Sequence, residues 1–366
     1  MGKSYSLDPS SKIKFEFILI SFTVLFSGCF SSEGVPHVEP AAFHPELVSP
    51  FEGNLAVNRE LTKLTWLGKG ELNGPEDVAL DEAGNLFSTN EDGTIKKISP
   101  TGEMTVFANT SGRPLGMKFA PSGDLMVADG LKGLLSISIS GEINVLVKHT
   151  DDFPLTMADD LDISSGGVVY FSDVTSPEVG NDFFNDILIH RPFGRLLKYD
   201  TDNKECKVIL DSLYFANGVA LSPDEEFVLM AETGNFQITR LWIKGPKKGQ
   251  RDLFSVNLPG YPDGIMGDGK GNYWMALFSP RKPIVDKLYS PRVWLKKILL
   301  RIPEWARPKP ENYGLIVLID SNGEIIRSLH DQKGKTIANI TNVIEHDGKL
   351  YIGTLYGDGV GIYDLN

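Results

Sequence analysis

The chain has 366 residues, enough to bury a large core in one to three domains. A formal charge of −12 and a pI near 5.1 exclude a general nucleic-acid binder, which needs a basic footprint. With 37 glycines and 22 prolines the chain has many turns, yet these residues are too few and too scattered for a disordered or collagen-like protein.

Lys3, Lys12 and Lys14 form a positive region around the start of an apolar run from Phe17 to Phe26, and Ser27-Gly28-Cys29 follows. The run is short for a spanning helix but has the length of a secretory signal's core. Residues 1–29 are therefore expected to be an export signal or a membrane anchor. Small residues before Cys29 resemble the lipidation signal of bacterial lipoproteins, which would place the body outside the cytoplasm, tethered to a membrane by its N-terminus. With Cys29 so used, Cys206 has no partner within the chain and no disulfide framework is expected. Beside the strand pattern Lys207-Val208-Ile209-Leu210, Cys206 reads as a buried, inert thiol. Residues 30–60 lack periodicity and read as a tether.

Leu61-Thr62-Lys63-Leu64-Thr65-Trp66-Leu67 reads as a strand that has no place in the first repeat that follows. That repeat opens with Pro75-Glu76-Asp77-Val78 and returns as Pro114-Leu115-Gly116-Met117, Ala158-Asp159-Asp160-Leu161, Ala216-Asn217-Gly218-Val219, Pro262-Asp263-Gly264-Ile265 and Thr341-Asn342-Val343-Ile344. Most copies lead across a short turn into an apolar strand, such as Val169-Tyr170-Phe171-Ser172-Asp173 or Leu350-Tyr351-Ile352-Gly353-Thr354. A sheet motif repeated every forty or so residues is the signature of a propeller blade. The expected architecture over residues 61–366 is all-β: a six-bladed propeller, closed by the 61–67 strand in the short last blade so that no sheet edge stays open.

Two insertions break the rhythm, at 176–192 and 280–310. The second is locally basic, and Val293, Trp294, Ile298 and Ile302 recur near helical spacing. This predicts a short amphipathic helix over one end of the ring, serving as a structural lid, a substrate gate or a membrane contact.

Aligning the opening motifs brings Glu76, Leu115, Asp159, Asn217, Asp263 and Asn342 to one position around the axis. Five of the six bear side-chain oxygens. Core positions would not tolerate this without a shared partner, and converging carboxylates would repel one another. A bound cation resolves both problems, and oxygen donors without His or Cys favour Ca²⁺, with another divalent ion as the alternative. The competing explanation is turn chemistry, which accounts for Gly116, Gly218 and Gly264 better than for Glu76. Asp129, Asp173 and Glu232 recur at strand ends and read as acceptors of backbone N–H groups.

Several runs carry a family resemblance: Gly112-Arg113-Pro114-Leu115-Gly116, Gly194-Arg195-Leu196-Leu197-Lys198-Tyr199-Asp200, Asn217-Gly218-Val219-Ala220-Leu221-Ser222-Pro223, Pro259-Gly260-Tyr261-Pro262-Asp263 and Glu345-His346-Asp347-Gly348. The chain resembles the strictosidine synthase-like group, especially its adipocyte plasma membrane-associated branch, and is more distantly similar to paraoxonases and gluconolactonase-like senescence-marker proteins. For those lactonases the resemblance implies a divalent ion in the central tunnel, and carries the ligand role to Glu76, Asn217 and Asp263, with Asp159 where Asn is frequent. No carboxylate stands in Ala338–Ile344, which argues against the alkaloid-forming condensation of the family's namesake. Leu115 stands where a paraoxonase loop would offer a histidine.

What remains is Ca²⁺-dependent hydrolysis of a small ester or lactone, with Asp263 or Asp159 handling the attacking water and His330 or His346 as alternative proton carriers. The rival is a non-catalytic, calcium-stabilised interaction module. No protein partner is specified by the sequence.

Overall fold

The computed structural model describes residues 37–150 and 153–366, apart from the side chains at 288 and 289. The basic region, apolar run and Cys29 lie outside them. Among the described residues no helix is long and apolar enough to cross a membrane.

The strands form six four-stranded antiparallel sheets, the blades of a propeller. From the inner strand outward, blade 1 is Val78–Leu80, Leu86–Thr89, Thr94–Ile98 and Met104–Asn109, and blade 2 is Pro114–Phe119, Leu125–Asp129, Gly133–Ile137 and Ile143–Val147. Blade 3 is Ala158–Ile163, Val168–Asp173, Gly194–Asp200 and Glu205–Leu213, and blade 4 is Ala216–Leu221, Phe227–Glu232, Gln237–Trp242 and Arg251–Ser255. Blade 5 is Gly260–Gly267, Tyr273–Pro280, Gly314–Ile319 and Ile325–Asp331. Blade 6 takes Ile340–His346, Lys349–Thr354 and Val360–Asp364 from the end of the chain and its outer strand, Thr65–Leu67, from near the start.

Ring closure thus follows the expected route, with Thr65 opposite Ile362, Trp66 opposite Gly361 and Leu67 opposite Val360. The closing strand is shorter than expected. Glu60–Lys63 is a 3-10 turn, held by Glu60 and Lys63 at 2.7 Å and by Thr62 N–H donating to the Arg59 carbonyl. That turn drives Leu61 into the core shared by blades 5 and 6, against Trp274, Ile316, Ile340 and Ile352. Turn spacing, rather than strand alternation, buries both Leu61 and Leu64. Elsewhere the core lies between blades, as in Phe87, Ile95, Met117, Val127 and Leu135 between blades 1 and 2. Each such side chain contributes about 1.5–3 kcal/mol, so neighbouring blades stabilise one another through shared faces.

The first insertion folds as helix α1, Phe183–Ile189. Asp182 caps it by accepting from Phe184 N and Asn185 N, and His190 ends it in the left-handed conformation. The second contains helix α2, Val293–Leu299, followed by a 3-10 turn at Glu304–Ala306. Helix α2 does not pack the whole of its expected apolar face on the ring: Val293 and Ile302 are half-buried, but the rest of that face is turned to solvent. Trp294 and Ile298 are 61% and 51% exposed, whereas Lys296 is 2% exposed and donates to the Ala41 carbonyl at 2.8 Å.

The stretch read as a tether lies, from residue 37 onward, against the insertions. Ala41 N donates to Ile189 O, Phe43 N donates to Ser290 O, and Phe43 stacks on His190 with centroids 4.0 Å apart. Arg281 is buried beneath this strap, paired with Asp286 and donating to Glu46 O and Asn257 Oδ1, both at 2.6 Å.

Candidate metal centre

The inner strand of each of blades 2 to 5 carries a bulge. In blade 3, Ala158 faces Asp173 and Leu161 faces Phe171, so Asp159 and Asp160 together oppose Ser172 alone. Leu115-Gly116, Asn217-Gly218 and Asp263-Gly264 are placed the same way. A bulge turns two consecutive residues toward the axis where a regular strand would turn one. The axis is consequently lined by two rows of side chains, where the sequence reading identified one.

One row holds Glu76, Leu115, Asp159, Asn217 and Asp263. Asn342 was assigned to it by sequence, but belongs to the neighbouring row. Asn342 Oδ1 accepts from Val343 N at 2.7 Å, as Asp77 accepts from Val78 N at 2.7 Å and Asp160 from Leu161 N at 2.8 Å. Thr341 fills the first-row place and donates to Glu76 O at 2.7 Å. The misalignment arose because a short motif permits a one-residue slip that only the hydrogen-bond register resolves.

The second row is a ring of blade-to-blade staples. Asp77 accepts from Met117 N in blade 2 at 2.6 Å and from the Asn342 amide in blade 6, while Asp160 accepts from Val219 N in blade 4 at 2.9 Å. Asp162, farther along the blade 3 strand, accepts from Leu221 N at 2.8 Å and pairs with Lys118. The glycines of this row are not turn glycines. None lies in the left-handed region, and a Cβ on Gly116 would stand 2.6 Å from Asp159 O and 2.8 Å from Asp160 Oδ1. They permit adjacent strands to approach closely around the axis.

Glu76, Asp77, Asp159, Asp160 and Asp263 thus place five carboxyl groups around one axial cavity of about 20 Å³, also lined by Asn217, Asn342 and Thr341. That volume suits one water or ion. Arg113 brings a guanidinium to the same place, with Nη2 3.0 Å from Glu76 Oε2, and its Nη1 is buried without a partner. Burial chiefly pushes Glu76 up to about 7, against the pull of Arg113. Burial and then the charges of Glu76 and Asp160 push Asp159 well above the carboxylate range. Asp263 is raised by burial and by Asp159 and Glu76, and eased by Asn217. Asp160 is raised to about 7, again mainly by burial.

The donor chemistry fits a hard divalent cation. The Asp159 carboxylate receives no hydrogen bond among the described residues, and the side chains facing the cavity offer oxygen donors without His or Cys. Among the described residues the carboxylates face one cavity, but no three of them are grouped closely enough to hold an ion as they stand.

The histidines are elsewhere. His330 is fully buried in the outer strand of blade 5, between Tyr313 Oη at 2.9 Å and Ser328 Oγ at 2.8 Å, and does not line the cavity. Burial lowers it to about 4. His346 lies at the end of the inner strand of blade 6, 3.5 Å from its neighbour Asp347, and is likewise absent from the cavity. His190 is packed beneath the strap and lowered to about 3 by burial.

The strand-end acids behave as expected. Asp129 accepts from Arg113 N and Leu131 N, both at 2.9 Å, Asp173 accepts from Thr156 N and Met157 N, and Glu232 accepts from Tyr214 N. Cys206 is half-buried, and burial pushes its thiol up to about 11, as an inert thiol requires. Arg113 and the staples Asp77 and Asp160 were not singled out from sequence. The paired acids Glu76-Asp77 and Asp159-Asp160, opposite glycines in neighbouring repeats, were the available signal.

Comparison with known proteins agrees with this architecture. Residues 159–246 match the family model described as strictosidine synthase, and residues 53–98 match that of the strictosidine synthase-like N-terminal region. An adipocyte plasma membrane-associated protein of Salmo salar is 35% identical over 342 residues, covering 85% of this chain and 81% of its own. Strictosidine synthase-like protein 10 of Arabidopsis thaliana is 35% identical over 324 residues, covering 80% of this chain and 85% of its own. Among solved structures, a gluconolactonase of Xanthomonas campestris superposes with a TM-score of 0.61 at 17% identity, over 90% of this chain and 97% of that one, a likeness of fold. The closed six-bladed ring, the axial acids and the extent of these matches together make the chain a member of the strictosidine synthase-like family that includes the adipocyte plasma membrane-associated proteins.

Proposed function

We propose that this protein is a calcium-dependent hydrolase of small esters or lactones, exported and held at a membrane by its N-terminal segment. The observation that carries the reading is a set of buried axial carboxylates, Asp159 and Asp263 foremost, facing one water-sized cavity with a single guanidinium to balance them. Glu76, Asp159, Asn217 and Asp263 would hold the ion, and the oxygen-only donor set favours calcium over softer metals. When bound, the ion supplies Lewis-acid polarisation of the substrate carbonyl. Asp159, whose carboxylate receives no hydrogen bond among the described residues, or Asp263, which accepts from the Asn217 amide, orients the attacking water and accepts its proton. Arg113 holds Glu76 in place. His330 has no part in this scheme, because its partners are Tyr313 and Ser328. The fold shared with a gluconolactonase and the membrane association named in the salmon relative support the substrate class and the location.

A second reading is favoured by the small size of the cavity, which has no room for a substrate beside an ion in this conformation. It makes the ion structural and the ring an interaction module. One experiment separates the two. Hydrolysis of a panel of aryl esters and lactones is measured with calcium, with chelator and with Asp263→Asn, alongside melting curves. Catalysis predicts a loss of turnover of 100-fold or more, on the order of the effect of removing a main electrostatic stabiliser, with the fold retained. No turnover under any condition, with a large fall in melting temperature on chelation, would establish the module.

A further inference from the structure

The 280–310 insertion differs from the rest of this acidic molecule. On α2, Trp294 and Ile298 stand one turn apart on the solvent side, while Lys296, roughly opposite, is buried. Flanking them, Ile284 is 60% and Trp305 84% exposed. Lys287, Arg301 and Lys309 are exposed on the same segment. An ordinary solvent-facing helix would bury the tryptophan and expose the lysine. Here the aromatic and aliphatic side chains project outward among cations, on a chain whose net charge is −12.

This segment also has a fixed place. Arg307 pairs with Asp182 at the start of α1 at 2.6 Å, Phe183 of α1 meets Phe278 at 6.4 Å, and Phe278 meets Tyr356 at 6.2 Å. Burial first, and then the charges of Glu76, Glu91 and Glu304, raise the Tyr356 phenol, consistent with the insertion overlying the Glu76 end of the ring. The strap from the N-terminal segment crosses the same face, with Glu39 paired to Lys297 at 2.6 Å and Ala41 O accepting from Lys296.

We infer that the 284–309 segment is a membrane-docking surface that inserts Trp294, Ile298 and Trp305 into the interface of an anionic lipid bilayer. Tryptophan beside aliphatic residues, ringed by Lys and Arg, is the composition that partitions to the headgroup boundary. The cations complement anionic lipid, and the remainder of the acidic body is repelled by it, which orients the docking. Docking would then hold the axial cavity's mouth against the lipid. The inference does not depend on the reaction proposed above.

The test uses the full-length chain reconstituted into vesicles with brominated acyl chains, of phosphatidylcholine alone or mixed with phosphatidylserine. Residues 1–36 contain no tryptophan, so quenching reports on the body alone. Quenching is expected to be stronger in the anionic vesicles and to be largely lost in the Trp294→Phe/Trp305→Phe variant. It should fall in Lys287→Glu/Arg301→Glu, with melting temperatures unchanged in both. Quenching that is equal in wild type and the tryptophan variant, absent from both, or indifferent to lipid charge and to charge reversal overturns the inference. Shielding of the two tryptophans without bromolipid quenching, as a second copy or a protein partner would produce, also overturns it.

Discussion

The axial carboxylates set the behaviour of the site through their ionisation. Glu76 and Asp160 are raised from ordinary carboxylate values to about 7, both chiefly by burial. A carboxyl raised on folding favours the protonated folded state, so its contribution is fully present below its unfolded pKa and is lost as the pH rises through 7. Without a cation the melting temperature should therefore fall by a few degrees between pH 6.5 and 8. With calcium the fall should be abolished or reversed, because the ion binds the deprotonated groups and is favoured as they ionise. The window starts at 6.5 because His330, lowered to about 4 by burial, adds an opposite slope beneath it. Melting curves with chelator and with excess calcium check the sign. A chelated protein that gains stability toward pH 8 would show that these acids are already satisfied without an ion.

At the level of the element, the inner strand with its bulge is the working unit. The bulge turns one residue toward the cavity and the next into a neighbouring blade, so recognition and stapling are adjacent in sequence. Gly116 shows how tightly this is packed, since a methyl group there would meet Asp159 O at 2.6 Å and Asp160 Cα at 2.7 Å. Both obstacles include backbone, so rotamer change cannot relieve them. Gly116→Ala should cost about 1–3 kcal/mol by overpacking and weaken calcium binding by displacing Asp159. Chemical denaturation and calcium titration of this variant measure both effects. Unchanged values in both would show that blade 2 can withdraw from blade 3 at no cost.

For the whole molecule, closure of the ring by Thr65–Leu67 holds the set together. Removing residues 1–67 also removes Leu61 and Leu64 from the core beneath blades 5 and 6 and leaves Val360–Asp364 as an unpaired edge. Such an edge pairs with other chains. The truncated protein should melt well below the intact one and should aggregate or dimerise, as light scattering and gel filtration would report. A monomeric truncation with an unchanged melting temperature would remove the closing strand from the stability argument.

The number of blades, their antiparallel strands and the origin of the closing strand were legible because each rests on a local pattern repeated six times. Alternation, turn glycines and an apolar second strand need no knowledge of the partner. The convergence of Glu76, Asp159, Asn217 and Asp263 was legible for the same reason, since equivalent positions in a closed ring share an axis. What the tertiary structure alone decided depends on contacts between blades or with the insertions. Asn342 and Asp77 share a row because a hydrogen-bond register, invisible in a short motif, sets them there. Lys296 is buried and Trp294 exposed because the strap supplies a carbonyl from residue 41 to an amine that helical periodicity would send to water. His330 is structural because Tyr313, beside the neighbouring strand, and Ser328, two residues back in its own strand, occupy its two ring nitrogens. A repeat writes its own geometry into the chain, whereas a contact made once between distant segments leaves no periodic trace.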